Sequence, residues 1–303
     1  MTAQIADSIL DTVGSTPLIR LGRLSPETGA EVLGKLESRN PGGSVKDRPA
    51  LSMILHAEKS GALKPGVSVL VEATSGNTGI SLAMIAAVRG YRCIIVLPED
   101  MSQARRYLLR AYGAEVIVTP AEQGMQGAVT RAQQILKDTK HAFMTRQFEN
   151  EANPMAHESS TAEEIWDATQ GRLDAFVAGV GTGGTLTGVA RALKKRHPAL
   201  RVIAVEPKGS AVLSGGQPGL HAIQGLGAGF VPPIVQRNLI DDVIAVSDLA
   251  AERMAVRLAR EEGILVGPSA GANVHASIEL AATMQRGTRV VTILCDTGER
   301  YLV

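Results

Sequence analysis

The sequence predicts an α/β protein of two lobes, each a mainly parallel twisted sheet flanked by helices. Three observations carry that expectation. Short β-like runs alternate with longer helical patterns along most of the chain, which is the rhythm of βα units around a parallel sheet. The strand runs barely alternate between apolar and polar residues, as expected of strands covered on both faces. A stretch rich in Asn and charge, "RQFENEANP", separates two such series.

The first series sets "VSVLVEA" before "TGISLAMIAAVRG", "RCIIVLP" before "MSQARRYLLRAYG" and "AEVIVTP" before "GMQGAVTRAQQILKD". The second sets "DAFVAGV" before "GGTLTGVARALKKRH", and "RVIAVEP" follows. The expected boundaries are a smaller N-terminal lobe over residues 46–150 and a larger lobe made of 1–45 and 151–303. Ligands of open α/β sheets sit beyond the carboxyl ends of the strands. Chemistry is therefore expected in the strand-to-helix turns.

Composition narrows the classes of function. The 303 residues are 45% hydrophobic and 20% charged, with a net charge of +1 and both signs intermixed. That leaves no electrostatic footprint for nucleic acid or an acidic membrane. An aromatic content of 3% leaves few platforms for stacking bases. No stretch approaches the ~18 apolar residues of a membrane span. The opening "MTAQIADSILDTVGSTPL" has neither the basic nor the apolar region of a secretory signal. Two cysteines, Cys93 and Cys295, cannot build a zinc site or a disulfide framework by themselves. Both lie in apolar runs and read as buried structural thiols. A cytoplasmic, reducing setting is expected. The six histidines show no metal-ligand spacing, so no metal is expected, and most read as surface or partly buried residues outside the chemistry.

Four turns hold candidate residues. In "NPGGSVKDRPA", Ser44 and Asp47 fit a capping box, which would leave Lys46 an ordinary surface charge. The other reading is that the glycine-rich loop is built to hold Lys46. "TSGNTG", Thr74 to Gly79, offers backbone N–H groups and small polar side chains at a helix start, a ready anion site that suits a carboxylate. "GVGTGGT", Gly179 to Thr185, matches G-x-G-x-x-G, and Glu206 lies about 20 residues further on, as in a dinucleotide fingerprint. Its hydroxyls and many N–H groups suit a terminal phosphate equally well. "GPSAGAN" places Ser269 before a helix; it satisfies G-x-S-x-G formally, but the only later histidine is His275 in the same helix, and no triad order emerges.

Taken together, these segments resemble the fold-type II pyridoxal-phosphate enzymes, and within them the cysteine synthases (O-acetylserine sulfhydrylases). The resemblance runs from "GSTPLIRL" through "NPGGSVKDR", "EATSGNTGISLA", "RQFENEANP", "GVGTGGTLTG", "HAIQGLGAGFVP" and "EEGILVGPSAG" to "DTGERYL", nearly the whole chain. It implies pyridoxal 5′-phosphate as cofactor and a transferase that turns O-acetyl-L-serine and hydrogen sulfide into L-cysteine and acetate. It also implies residue roles. Lys46 would hold the cofactor covalently and move the Cα proton. Thr74, Ser75, Gly76, Asn77, Thr78 and Gln147 would bind the substrate carboxylate, with Asn77 also near the cofactor's 3′ oxygen. Gly181, Thr182, Gly183, Gly184 and Thr185 would cradle the 5′-phosphate, and Ser269 would face the pyridine nitrogen. Gln224 and Gly225 would line the substrate side; relatives that use O-phosphoserine carry an arginine where Gln224 stands. Homodimers, and binding of the carboxyl tail of serine acetyltransferase, follow from the same resemblance. The sequence departs from the family at Ser160-Thr161-Ala162-Glu163, where Thr-Thr-Gly-Pro is common. Two alternatives stay open: a β-replacement enzyme using O-phosphoserine or homocysteine, as cystathionine β-synthases do, and a dinucleotide-dependent oxidoreductase.

Overall fold

A computed structural model describes residues 5–27 and 29–301. In chain order the strands are β1 (Leu18–Arg20), β2 (Glu31–Leu36), β3 (Val69–Ala73), β4 (Arg92–Pro98), β5 (Glu115–Thr119), β6 (Ala142–Phe143), β7 (Ala175–Gly179), β8 (Arg201–Pro207), β9 (Asp242–Val246) and β10 (Arg289–Leu294). The helices are α1 (Asp47–Lys59), α2 (Asn77–Arg89), α3 (Gln103–Ala111), α4 (Gly124–Asp138), α5 (Ala152–Ala156), α6 (Ala162–Thr169), α7 (Gly184–Arg196), α8 (Asp248–Glu262) and α9 (Pro268–Thr283). The chain divides into two units. One takes the described residues of 1–13 and 40–152, the other those of 14–39 and 153–302.

The first unit is built on the sheet β5-β4-β3-β6, parallel at every pairing. Successive side chains of a strand face opposite ways. Leu70 of β3 accordingly joins one core with Ala50 and Ile54 of α1 and Ile80 and Leu82 of α2. Val69 and Val71 join another with Ala128 and Ala132 of α4. Both faces are covered, which is why "VLVEA" and "CIIVLP" read as near-continuous apolar runs. Leu10 packs into the first of these cores. The described residues before 14, with 40–45 and 151–152, thus belong here, where the expected boundaries put 1–45 and 151–303 in the larger lobe.

The second unit carries the sheet β1-β2-β10-β7-β8-β9. Only the β1–β2 pair is antiparallel. Its core joins Val177 and Val205 of the sheet to Met254 and Leu258 of α8 and Ala272 and Ala276 of α9. No described helix is long and apolar enough to cross a membrane. Cys93 is buried as expected, and burial, with the charges of Glu72 and Glu115 adding to it, pushes its thiol up to about 12. Cys295 departs from expectation. It lies just past β10 and is half-buried, with its Sγ accepting from Asn273 Nδ2 at 3.5 Å.

Candidate active site

In the first unit, the loop ahead of α1 is pinned by Asp47. Its side chain is fully buried; Oδ2 accepts the Gly42 N–H at 2.6 Å and Oδ1 accepts the Ser81 hydroxyl at 2.5 Å. Gly42 sits so close that a Cβ there would stand 2.4 Å from Asp47 Oδ1. Ser81 belongs to α2, so Asp47 ties the Lys46 turn to the helix that opens from "TSGNTG". The expected capping box does not form. Lys46, half-buried, is the N-cap residue of α1, and Ser44 Oγ accepts the Lys46 N–H at 3.2 Å. Asp47 takes two buried donors in place of the Ser44 N–H, because an unpaired buried carboxylate is costly.

The second motif forms the turn between β3 and α2. Thr74 Oγ1 accepts the Gly76 N–H at 3.2 Å, and Arg105 Nη1 of α3 donates to the Ser75 carbonyl at 3.1 Å. Asn77 and Thr78 open α2, where first-turn N–H groups lack intrahelical acceptors. Thr78 Oγ1 donates to Gln147 Oε1 at 2.8 Å, and both side chains are buried. The structure therefore brings Gln147 to the end of α2 from 69 residues away in sequence. Such a cluster of amides, hydroxyls and a helix N-terminus suits a carboxylate.

Glu72, Thr145 and Asn150 hold the segment ahead of and around Gln147 in place, and no local pattern singles them out. Glu72 Oε2 accepts the Thr145 N–H at 3.0 Å and the Thr145 hydroxyl at 2.5 Å. Burial pushes the Glu72 carboxyl up to about 7, outweighing those two hydrogen bonds. Asn150 Nδ2 in turn donates to the Thr145 carbonyl at 2.9 Å.

In the second unit, "GVGTGGT" runs from the end of β7 into α7. Three of its glycines are required by space. A Cβ on Gly181 would lie 2.2 Å from the Gly225 carbonyl oxygen, and one on Gly184 would lie 1.9 Å from Asn153 Oδ1. Gly183 has φ +84° and would meet Val235 at 2.2 Å. Asn153 Nδ2 donates to Thr182 Oγ1 at 3.0 Å, and Thr182 Oγ1 also accepts the Gly184 N–H at 3.3 Å. His157 is buried between two threonines, with Nε2 3.2 Å from Thr185 Oγ1 and Nδ1 2.9 Å from Thr161 Oγ1. This histidine is fully buried, an exception to the surface or partly buried setting expected of most of the six. It lies in a π-helical turn, His157–Thr161, between α5 and α6, and such turns recur at functional sites. The departure at residues 160–163 falls on that turn: Thr161 contacts His157, and Glu163 pairs with Arg196 at 2.7 Å.

Ser269, 4% exposed, stands in the first turn of α9. A Cβ on Gly225, which has φ +95°, would lie 3.8 Å from Ser269 Oγ. Gly225 thus adjoins both Gly181 and Ser269, which brings the 181–185 loop, the 224–225 turn and Ser269 together. Gln224 is exposed beside them. The acid of the dinucleotide reading is engaged elsewhere. Glu206, 1% exposed, accepts the Leu213 N–H at 2.7 Å and the Ser214 N–H and hydroxyl at 3.1 and 2.5 Å. His275 faces Glu279 at 3.2 Å rather than Ser269. Among the described residues no group of acids, cysteines and histidines is placed to hold a metal.

Residues 9–296 match the family described as "Pyridoxal-phosphate dependent enzyme". The chain belongs to the pyridoxal-phosphate-dependent enzymes. It is 51% identical over 302 residues to the probable cysteine synthase of Bacillus subtilis (strain 168), covering 99% of this chain and 97% of that one. Among solved structures it is similar to O-ureido-L-serine synthase, at 47% identity and a TM-score of 0.95 over 99% of this chain and 94% of that one. The cysteine synthase of Entamoeba histolytica gives 41% identity and a TM-score of 0.95 over 99% and 90%.

The residues present fit pyridoxal phosphate. A phosphate needs many donors at close approach, and a loop in which a Cβ at Gly181, Gly183 or Gly184 would clash, leading into a 13-residue helix, provides them. Gly181→Ala should force the Gly225 carbonyl aside and weaken cofactor binding by roughly tenfold or more, the scale of an overpacked site. Titrating cofactor-free protein with pyridoxal phosphate and following absorbance checks this; an affinity equal to the parent's would show that the loop has room to spare.

Proposed function

We propose that this protein is a cysteine synthase that converts O-acetyl-L-serine and hydrogen sulfide into L-cysteine and acetate. The observation that carries the reading is the complete residue set of each half. Lys46 is fixed beside a carboxylate cradle in one unit, and a glycine-walled loop adjoins Ser269 in the other. When bound, pyridoxal phosphate supplies an electron sink for the charge left at Cα. The chain supplies the rest. Thr74, Ser75, Asn77, Thr78 and Gln147, with the Gly76 backbone, would hold the substrate carboxylate, and Asn77 would also serve the cofactor's 3′ oxygen. Gly181 to Thr185 hold the phosphate. The Lys46 amine would hold the cofactor until the substrate amine takes its place; once freed, it would take the Cα proton as acetate departs from Cβ, and return a proton to Cα after hydrosulfide adds to Cβ. Ser269 gives the ring nitrogen a neutral partner. The positive end of the α9 dipole disfavours protonation there, which suits elimination better than chemistry needing a long-lived carbanion.

Gln224 bears on the choice of donor. No Lys or Arg lies between His221 and Arg237. A phosphate leaving group wants a bidentate cation, whereas a neutral wall suits an acetyl ester. The expected result is a strong preference for O-acetylserine over O-phosphoserine, shifted toward the phosphate donor in Gln224→Arg. Steady-state comparison of the two donors decides it, and equal use of O-phosphoserine by the unmodified protein would overturn the donor assignment. The likeness to O-ureido-L-serine synthase favours testing the nucleophile separately. Product analysis with sulfide and homocysteine, each paired with O-acetylserine, is expected to yield cysteine as the dominant product. The proposal extends to a cytoplasmic homodimer whose carboxylate cradle accepts the terminal carboxylate of a serine acetyltransferase tail.

A further inference from the structure

The segment that carries Gln147 leaves its sheet early. β6 pairs with β3 only through Ala142 with Val69 and Phe143 with Leu70. Continued in the same register, Thr145 would oppose Glu72. The ladder has ended there, yet the Thr145 N–H is still taken, by the Glu72 carboxyl at 3.0 Å, and the Thr145 hydroxyl reaches the same oxygen at 2.5 Å. A buried side chain replaces a backbone rung at the last point before the chain turns away.

The turn itself is strained. Arg146 has φ +51°, the left-handed region that a residue with a long side chain rarely adopts. Its carbonyl accepts the N–H groups of Glu149 and Asn150 at 2.9 and 3.1 Å. The residue before it is clamped by Glu72, and the residue after it, Gln147, meets Thr78 at 2.8 Å. A strained conformation persists only where its surroundings over-determine it. Glu72 supplies one side of that determination and Thr78 the other.

We propose that Glu72 is a positioning residue that fixes where Gln147 presents its amide to the substrate carboxylate. This rests on the reading of Gln147 as a carboxylate ligand. Glu72 touches no substrate; it acts through Thr145 and the Arg146 turn. Its loss loosens Gln147 without touching Lys46 or the phosphate loop. The effect therefore falls on substrate binding rather than on the chemical step.

The holoenzyme tests this with Glu72→Ala, Glu72→Gln and Thr145→Val. Glu72→Ala is expected to raise the KM for O-acetylserine about tenfold, the scale of a lost buried hydrogen-bonding partner, with kcat within about threefold and with the yellow colour that pyridoxal phosphate has when bound to a lysine amine kept. Amide hydrogen exchange should quicken across residues 144–150. Glu72→Gln keeps an acceptor oxygen for Thr145 and should behave like the parent, while Thr145→Val, which keeps the N–H bond alone, should raise KM by a smaller factor. Should Glu72→Ala fail to fold, Thr145→Val decides. A folded, coloured Glu72→Ala or Thr145→Val with the parent's KM and exchange overturns the proposal, as does a Glu72→Gln that fails to restore KM. The colour and turnover of the unmodified protein test the functional reading itself, so the two failures are distinguishable.

Discussion

Lys46→Ala is expected to abolish turnover and the yellow colour while leaving the fold intact. One amine is asked to do two things, hold the cofactor and move the Cα proton. A positioned general base alone contributes about 10²- to 10⁴-fold, so a loss of at least ~10³-fold is expected when both roles go together. The fold should survive for local reasons. Lys46 lies in ordinary right-handed helical geometry at the start of α1 and makes no side-chain cap bond. The turn is held by Asp47 through Gly42 and Ser81, and alanine disturbs neither. Lys46→Arg should fail as well, since a guanidinium keeps the charge but does not lose its proton. Steady-state assays, visible absorbance and circular dichroism read the three parts separately. Full activity in Lys46→Ala would remove the basis of the proposed function.

The parts of this molecule that were legible in the sequence are those written locally. "VLVEA" and "CIIVLP" could be read as doubly covered strands because a strand packed on both faces must be apolar throughout. "TSGNTG" and "GVGTGGT" could be read as strand-to-helix turns because their small, capping and glycine residues come from one short stretch. What failed depended on partners distant in sequence. The central β10 lies beside β2, from the opposite end of the chain, and no local pattern specifies that pairing. The Ser44–Asp47 box looked sound, yet Asp47 found Ser81 of the next helix. His157 looked idle because its partner Thr185 lies 28 residues on. Glu72 drew no notice inside an apolar strand run, because Thr145 lies 73 residues away. Asp47, His157 and Glu72 are buried polar groups whose need for a partner was predictable and whose partner was not.

Glu72 also sets the second large effect, on stability rather than turnover. Its carboxyl has an ordinary value of 4.5 and is raised to about 7 in the folded protein, chiefly by burial. The neighbouring Cys93 thiol, pushed up to about 12, adds no charge near neutral pH. Between pH 4.5 and about 7 the unfolded chain has released the proton that the folded chain still holds. Stability is therefore lost as pH rises through that window, and the full cost persists above it. A shift of this size corresponds to about 3 kcal/mol. Glu72→Gln removes the ionisation while keeping an oxygen for Thr145. Relative to the parent it should gain little at pH 4.5 and about 3 kcal/mol by pH 8, and the gain should develop almost wholly between those limits. Denaturant titrations of the two proteins across that range measure the difference, and the other titrating groups, common to both, cancel. Parallel curves would mean that Glu72 ionises at an ordinary pH, through relaxation or water reaching it. A gain that shrinks as pH rises would mean that Thr145 stabilises the carboxylate more than burial disfavours it. Either result would reverse the balance set here, in which desolvation of a carboxyl on a central strand outweighs two hydrogen bonds from a single threonine.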